Sequence, residues 1–161
     1  MRKNFGQKGV FTAPQPVLLI GTYDENGVAN VMNVAWGGQC SEHHVALNLG
    51  HERQTLENMR LKKEFTVMFA TEETMVAADY LGIVSGLKVH DKVVKSGLTP
   101  VRAEMVDAPA FAELPVTLEC RVASIREERT GEVRVTGHTC PRGEEYGKSE
   151  FVNVRLVLPA A

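Results

Sequence analysis

Two strand-like runs separated by Asp24-Glu25-Asn26-Gly27 constrain this chain more than any other feature. An Asn-Gly pair supplies the positive φ angles of a tight hairpin turn. Val17–Tyr23 precedes the turn, and residues 28–36, VANVMNVAW, follow it and end in Gly37-Gly38. The two runs are expected to pair antiparallel. The pair brings Asn30, Asn33, Trp36 and a glycine-freed backbone to one place. Strand ends with accessible backbone and a few polar groups are favoured places for a small ligand.

The rest of the chain adds strands to this hairpin. Pro14 and Pro16 bracket the start of the first strand, where a missing N–H breaks no interior ladder. Val45–Leu49 reads as a third strand stopped by Gly50. Gln54–Lys63 carries good helix formers, with Leu56 and Met59 three apart on one face. Phe65–Ala70 returns to strand. Glu72–Leu81 reads as a helix, because Met75, Val76, Ala78 and Leu81 do not alternate and Gly82 suits its C-terminal stop. Residues 83–113, punctuated by Gly86, Gly97, Pro100 and Pro109, read as a long irregular segment. Val116–Ile125 alternates cleanly, with Val116, Leu118, Cys120 and Val122 pointing one way. A charged turn at Arg126–Gly131 leads to a strand at about 132–137, and Phe151–Leu158 is the last strand. The pattern predicts a mostly β domain spanning residues 1–161, with about six to seven antiparallel strands and two or three short helices. Closing so many strands into a barrel removes exposed edges.

Composition narrows the function classes. A formal net charge of -2 gives no general attraction to nucleic acid or an anionic membrane surface. No apolar run approaches the roughly 20 residues of a membrane span, and Met1-Arg2-Lys3 is not followed by a signal-peptide apolar core. Cys40, Cys120 and Cys140 have no C-x-x-C spacing, which fits free thiols in a reducing cytoplasm. Gly-x-Ser-x-Gly, Walker, His-Glu-x-x-His and Gly-x-Gly-x-x-Gly patterns are absent from the sequence.

Two stretches carry chemistry. His51-Glu52-Arg53-Gln54-Thr55 lies between a strand end and a helix start, where free N–H groups and the helix dipole attract anions. Arg53 can grip a phosphate and Thr55 can add a hydroxyl; alternatively Thr55 caps the helix and Arg53 is solvated. Asp79-Tyr80-Leu81-Gly82-Ile83-Val84-Ser85-Gly86 follows, with glycines that admit a planar ligand and a tyrosine able to stack on it. Its bland alternative is a glycine helix stop with Tyr80 in the core. Trp36 is read either as a core anchor or as a ligand contact. His43, His44 and His51 read as surface histidines, and His138 with Cys140 makes only half a metal site.

Together these pieces resemble the flavin reductase-like family of FMN-binding split barrels, close to the flavoredoxin type. The resemblance rests on Thr22–Gly27, Asn30–Trp36, Arg53–Asn58, Glu64–Val67, Asp79–Gly86, Gly97–Pro100 and Pro115–Cys120, in that order and spacing. It implies a Greek-key split β-barrel, usually a homodimer, with FMN near the subunit interface. It implies that Asn33, Val34, Ala35 and Trp36 line the flavin, and that Arg53 and Thr55 hold its phosphate. Asp79, Tyr80, Gly82 and Ser85 would lie near the isoalloxazine. Leu81 stands where these proteins often have cysteine. The implied activity is an NAD(P)H-dependent flavin oxidoreductase with no catalytic triad. The alternative is a flavoredoxin-type FMN electron carrier reduced by a redox partner protein. A split barrel without flavin, acting as an interaction module, is a third possibility, and a pyridoxamine phosphate oxidase matches the motifs less well.

Overall fold

The computed structural model describes residues 14–127 and the backbone of the strand Leu156–Pro159. The expected strand at 132–137, the first part of Phe151–Leu158, and the pair His138 and Cys140 lie outside the described residues.

The hairpin forms from β1 (Leu18–Tyr23) and β2 (Ala29–Val34), paired antiparallel with Ile20 opposite Met32. Only Gly27 of the turn takes a positive φ, at 77°. Asp24 Oδ1 supplies the rest of the closure by accepting from the amides of Asn26 and Val28, at 2.9 and 2.8 Å. The second strand ends earlier than expected. The chain bends at Ala35-Trp36, and Gly37–Ser41 starts a new strand, β3, paired with β4 (His44–Leu47). The bend suits Gly37, because a Cβ there would sit 2.8 Å from the Leu47 side chain.

α1 (Gln54–Lys62) follows, then β5 (Glu64–Phe69) and α2 (Met75–Ile83). The segment read as irregular contains a short helix, α3 (Lys92–Lys95), and a small hairpin of β6 (Pro100–Arg102) with β7 (Pro109–Phe111). Side chains distant in sequence order this segment. Glu119 accepts from the amides of Glu104, Met105 and Val106, and Glu64 accepts from that of Asp107. The alternating stretch splits into β8 (Thr117–Arg121) and β9 (Ser124–Ile125), and Leu156–Pro159 is β10. Val116, the first residue of that alternation, lies outside β8 and is exposed.

One sheet runs β2-β1-β5-β8 and the other β3-β4-β10-β9. β2 runs into β3 and β8 into β9, so bent strands join the two sheets at both edges. This is the mostly β, antiparallel split barrel expected, with three helices among the described residues. Leu18, Ile20, Val34, Val45, Leu47, Phe65, Val67 and Cys120 fill the interior, and Leu56 and Met59 of α1 close one end. The alternate residues of β1, β2 and β5, namely Leu19, Val31 and Met68, face outward against Ala78 and Leu81 of α2 and Val93 of α3. The period-two alternation thus builds two cores, one on each side of a single sheet. No helix among the described residues is long and apolar enough to cross a membrane.

Candidate functional site

The feature that gathers four of the predicted residues is a small, shallow notch of about 20 Å³ between the start of α1 and the end of α2. Arg53, Thr55, Gly82 and Ser85 line it, joined by Asn30, Gln54, Gly86 and Lys92. Roomier hollows lie elsewhere: one of about 540 Å³ is lined by Asp24, Glu57 and His90, and another of about 380 Å³ by Leu18, Val67, Phe69 and Leu118. Neither is lined by a predicted site residue.

Local structure explains why the notch attracts an anion. Arg53 is the N-cap of α1, extended at φ -92° and ψ 127°, and makes no side-chain cap hydrogen bond. Thr55 is therefore not the cap; it lies inside the first turn, 1% exposed, and its Oγ1 accepts from Asn30 Nδ2 at 2.8 Å. The amides of Gln54 and Thr55 precede the first helical carbonyls and have no helical acceptor. With no side chain capping them, they leave partial positive charge at the notch.

Lys92 supplies the cation that sequence reasoning missed. It is 2% exposed, and its Nζ donates to the carbonyls of Leu81 and Val84 at 3.1 and 3.0 Å. These carbonyls belong to the C-terminal turn of α2, where a cation is favoured. Burial, and then the nearby Arg53 charge, push Lys92 down from the usual lysine value to about 8. Among the described residues no ion pair involves Arg53 or Lys92. Glu52 is the one acid lining the notch, and it is exposed. Nothing local in His90-Asp91-Lys92 distinguishes this lysine from the exposed Lys88 and Lys95, so no sequence signal marked it.

Two asparagines of β2 sit under two glycines. A Cβ on Gly82 would lie 2.6 Å from Asn33 Nδ2, and one on Gly86 would lie 2.2 Å from Asn30 Oδ1. Gly82 is thus a point of close approach inside α2, not the helix stop expected of it; Val84 is the C-cap. Asn30 Oδ1 and Asn33 Oδ1 are buried and have no hydrogen-bond partner. Such orphaned acceptors cost about 1–3 kcal/mol each unless a donor reaches them. They are cheap to keep only where a ligand completes them.

The other predicted residues scatter around this centre. Val34 points into the barrel core, so its side chain does not face the notch. Trp36 is 65% exposed in the bend with Ala35, which removes the core-anchor reading. Tyr80 is half-buried and Asp79 exposed on α2. Neither lines the notch. Cys120, buried in the barrel, has its thiol pushed up to about 11 by burial and then by Glu119, so it offers no thiolate. Among the described residues no cluster of three or more His, Cys, Asp or Glu side chains is placed to hold a metal.

A family model described as "Flavin reductase like domain" matches residues 10–144. The flavoredoxin of Desulfovibrio vulgaris (Miyazaki F) superposes with a TM-score of 0.78 at 27% identity, over 99% of this chain and 74% of the other. The flavoredoxin from Methanosarcina acetivorans gives a TM-score of 0.74 at 24% identity, over 99% of this chain and 73% of the other. An FMN-binding protein from Thermus thermophilus, solved with bound 1-cyclohex-2-enone, gives 0.68 at 14% identity, over 100% and 78%. The last two likenesses bear on the fold alone. No curated protein matches the chain in sequence.

Proposed function

The chain belongs to the flavin reductase-like family, and on that premise we propose that it is an FMN-binding oxidoreductase drawing reducing equivalents from NAD(P)H. The observation that carries this reading is the pairing of Arg53 and buried Lys92 at the open N-terminus of α1, with the orphaned acceptor of Asn30 in the same notch. A phosphate monoester answers the cations, the Thr55 hydroxyl and the helix amides. Asn30 Oδ1 and Asn33 Oδ1 require donors, which a ribityl chain and a flavin ring edge carry and a bare phosphate dianion does not. Gly82 and Gly86 leave room for the Asn33 and Asn30 side chains, which would meet a ligand lying along β2. That strand is the edge of its sheet. Bound FMN would supply the redox chemistry, accepting two electrons as hydride and passing them to free flavin or another acceptor. The protein's residues bind and orient. Ser85 lines the notch, and the family resemblance assigns Asp79, Tyr80, Ala35 and Trp36 to the flavin ring beyond it.

We take the working unit to be a cytoplasmic homodimer. Met75, Val76 and Ile83 are 59%, 82% and 75% exposed, which gives α2 an apolar outer face that a second copy would cover. Light scattering should report twice the chain mass of 17.7 kDa, and a stable monomer would remove this part of the reading.

The similarity to a flavoredoxin at 27% identity favours a second reading, an electron carrier reduced by a partner protein. One experiment separates the two. The visible spectrum of the FMN-loaded protein is recorded without oxygen before and after NADH or NADPH. Bleaching by either nucleotide is the expected result; a spectrum that persists until a chemical reductant is added selects the carrier. Failure to bind FMN at all sinks both.

A further inference from the structure

Beneath the notch runs a chain of buried polar groups that do not line it. Thr22 and Asn58 are 0% and 2% exposed, and Asn58 Nδ2 donates to Thr22 Oγ1 at 3.0 Å. One arm rises from this pair through Asn58 Oδ1, which accepts from Gln54 Nε2 at 2.8 Å. The other rises through Thr22 Oγ1, which donates to the Asn30 carbonyl at 3.4 Å, and on through Asn30 Nδ2 to Thr55 Oγ1 at 2.8 Å. Both arms end on residues that line the notch: Gln54, Asn30 and Thr55.

An apolar pair of similar shape would fill this space without the desolvation cost of an amide and a hydroxyl. What the polar pair adds is direction. Leu56 and Met59 anchor α1 against the barrel end by non-directional packing, and α1 has no side-chain N-cap to fix its first turn. The Thr22–Asn58 bond sets the rotation of the helix against the hairpin. Because Thr55 Oγ1 already accepts from Asn30, its hydrogen remains to be donated toward the notch.

We propose that Thr22 and Asn58 are positioning residues for phosphate recognition: they hold the first turn of α1 so that the Thr55 hydroxyl and the leading amides face the same point as Arg53 and Lys92. This rests on the reading that the notch takes the phosphate of FMN. Neither residue touches the ligand, and neither is needed to recognise the flavin ring.

The test compares FMN with riboflavin, which lacks only the phosphate. In a Thr22→Val/Asn58→Leu chain both partners are replaced by apolar groups, so no buried polar atom of the pair is stranded. FMN should bind about tenfold more weakly, as for one to two misdirected hydrogen bonds, while riboflavin binding stays unchanged. Asn58→Leu alone, which leaves Thr22 Oγ1 its bond to the Asn30 carbonyl, reads the same ratio if the double variant does not fold, and Thr22→Ser should keep the parent ratio. A parent preferring FMN, with variants that keep that preference or lose both ligands equally, overturns the positioning role alone. A parent that binds riboflavin as tightly as FMN overturns the phosphate reading and this inference with it.

Discussion

A chain carrying Arg53→Ala and Thr55→Val is expected to bind FMN more than a hundredfold more weakly than the parent, with a clearly smaller loss for riboflavin. Arg53 would contribute a charge-assisted pair of about 2 kcal/mol and Thr55 a hydroxyl bond of about 1 kcal/mol, which together exceed a factor of 100. Arg53 is exposed, so part of its share is screened by salt, and the loss should be read at low ionic strength. Thr55→Val also strands Asn30 Nδ2, whose only described partner is Thr55 Oγ1. Thr55→Ser keeps that acceptor and should keep most of the affinity. Fluorescence titration of FMN checks the result. A double variant that retains FMN within threefold of the parent would place the phosphate somewhere other than this notch.

The difference between what the sequence disclosed and what it hid follows from the range of the interactions. The hairpin was legible because its signal is local: a glycine able to take φ 77° stands between two β-rich runs. α1 was legible within a residue at its end because Leu56 and Met59 repeat at helical spacing and both are buried. The β6–β7 region was not, because its order comes from Glu119 and Glu64, carboxylates of other strands that bind its amides. No periodicity within 83–113 encodes those bonds.

The site divided along the same line. Arg53 and Thr55 stood out because a strand end followed by a helix start is an anion-binding context in any chain. Gly82 lines the notch, but its reading as a helix stop fails: a glycine near a helix end looks like a stop, whereas here it is the gap that admits Asn33. Lys92 was invisible because its role exists only after α2 has presented the Leu81 and Val84 carbonyls to it. The orphaned Asn30 and Asn33 oxygens were equally out of reach, since an unsatisfied acceptor is a property of packing rather than of residue type.

Lys92 gives the site a pH dependence of unusual sign. In the free protein, burial and the Arg53 charge hold its pKa at about 8, below the ordinary lysine value of 10.5. An anion in the notch favours the ammonium form and raises that pKa again. FMN affinity should therefore be fully present below pH 8 and fall by up to about tenfold per pH unit above it, with a proton taken up on binding. Folding of the free protein should respond the other way. Between about pH 8 and 10.5 the unfolded chain holds a proton on this lysine that the folded chain has released, so stability rises with pH across that window. Lys92→Met should abolish both slopes and leave FMN binding weaker at neutral pH. General alkaline damage weakens affinity and stability together; only a buried cation serving an anion site drives them in opposite directions. FMN titrations and chemical unfolding from pH 7 to 10 decide the matter, and parallel loss of both would remove Lys92 from the site.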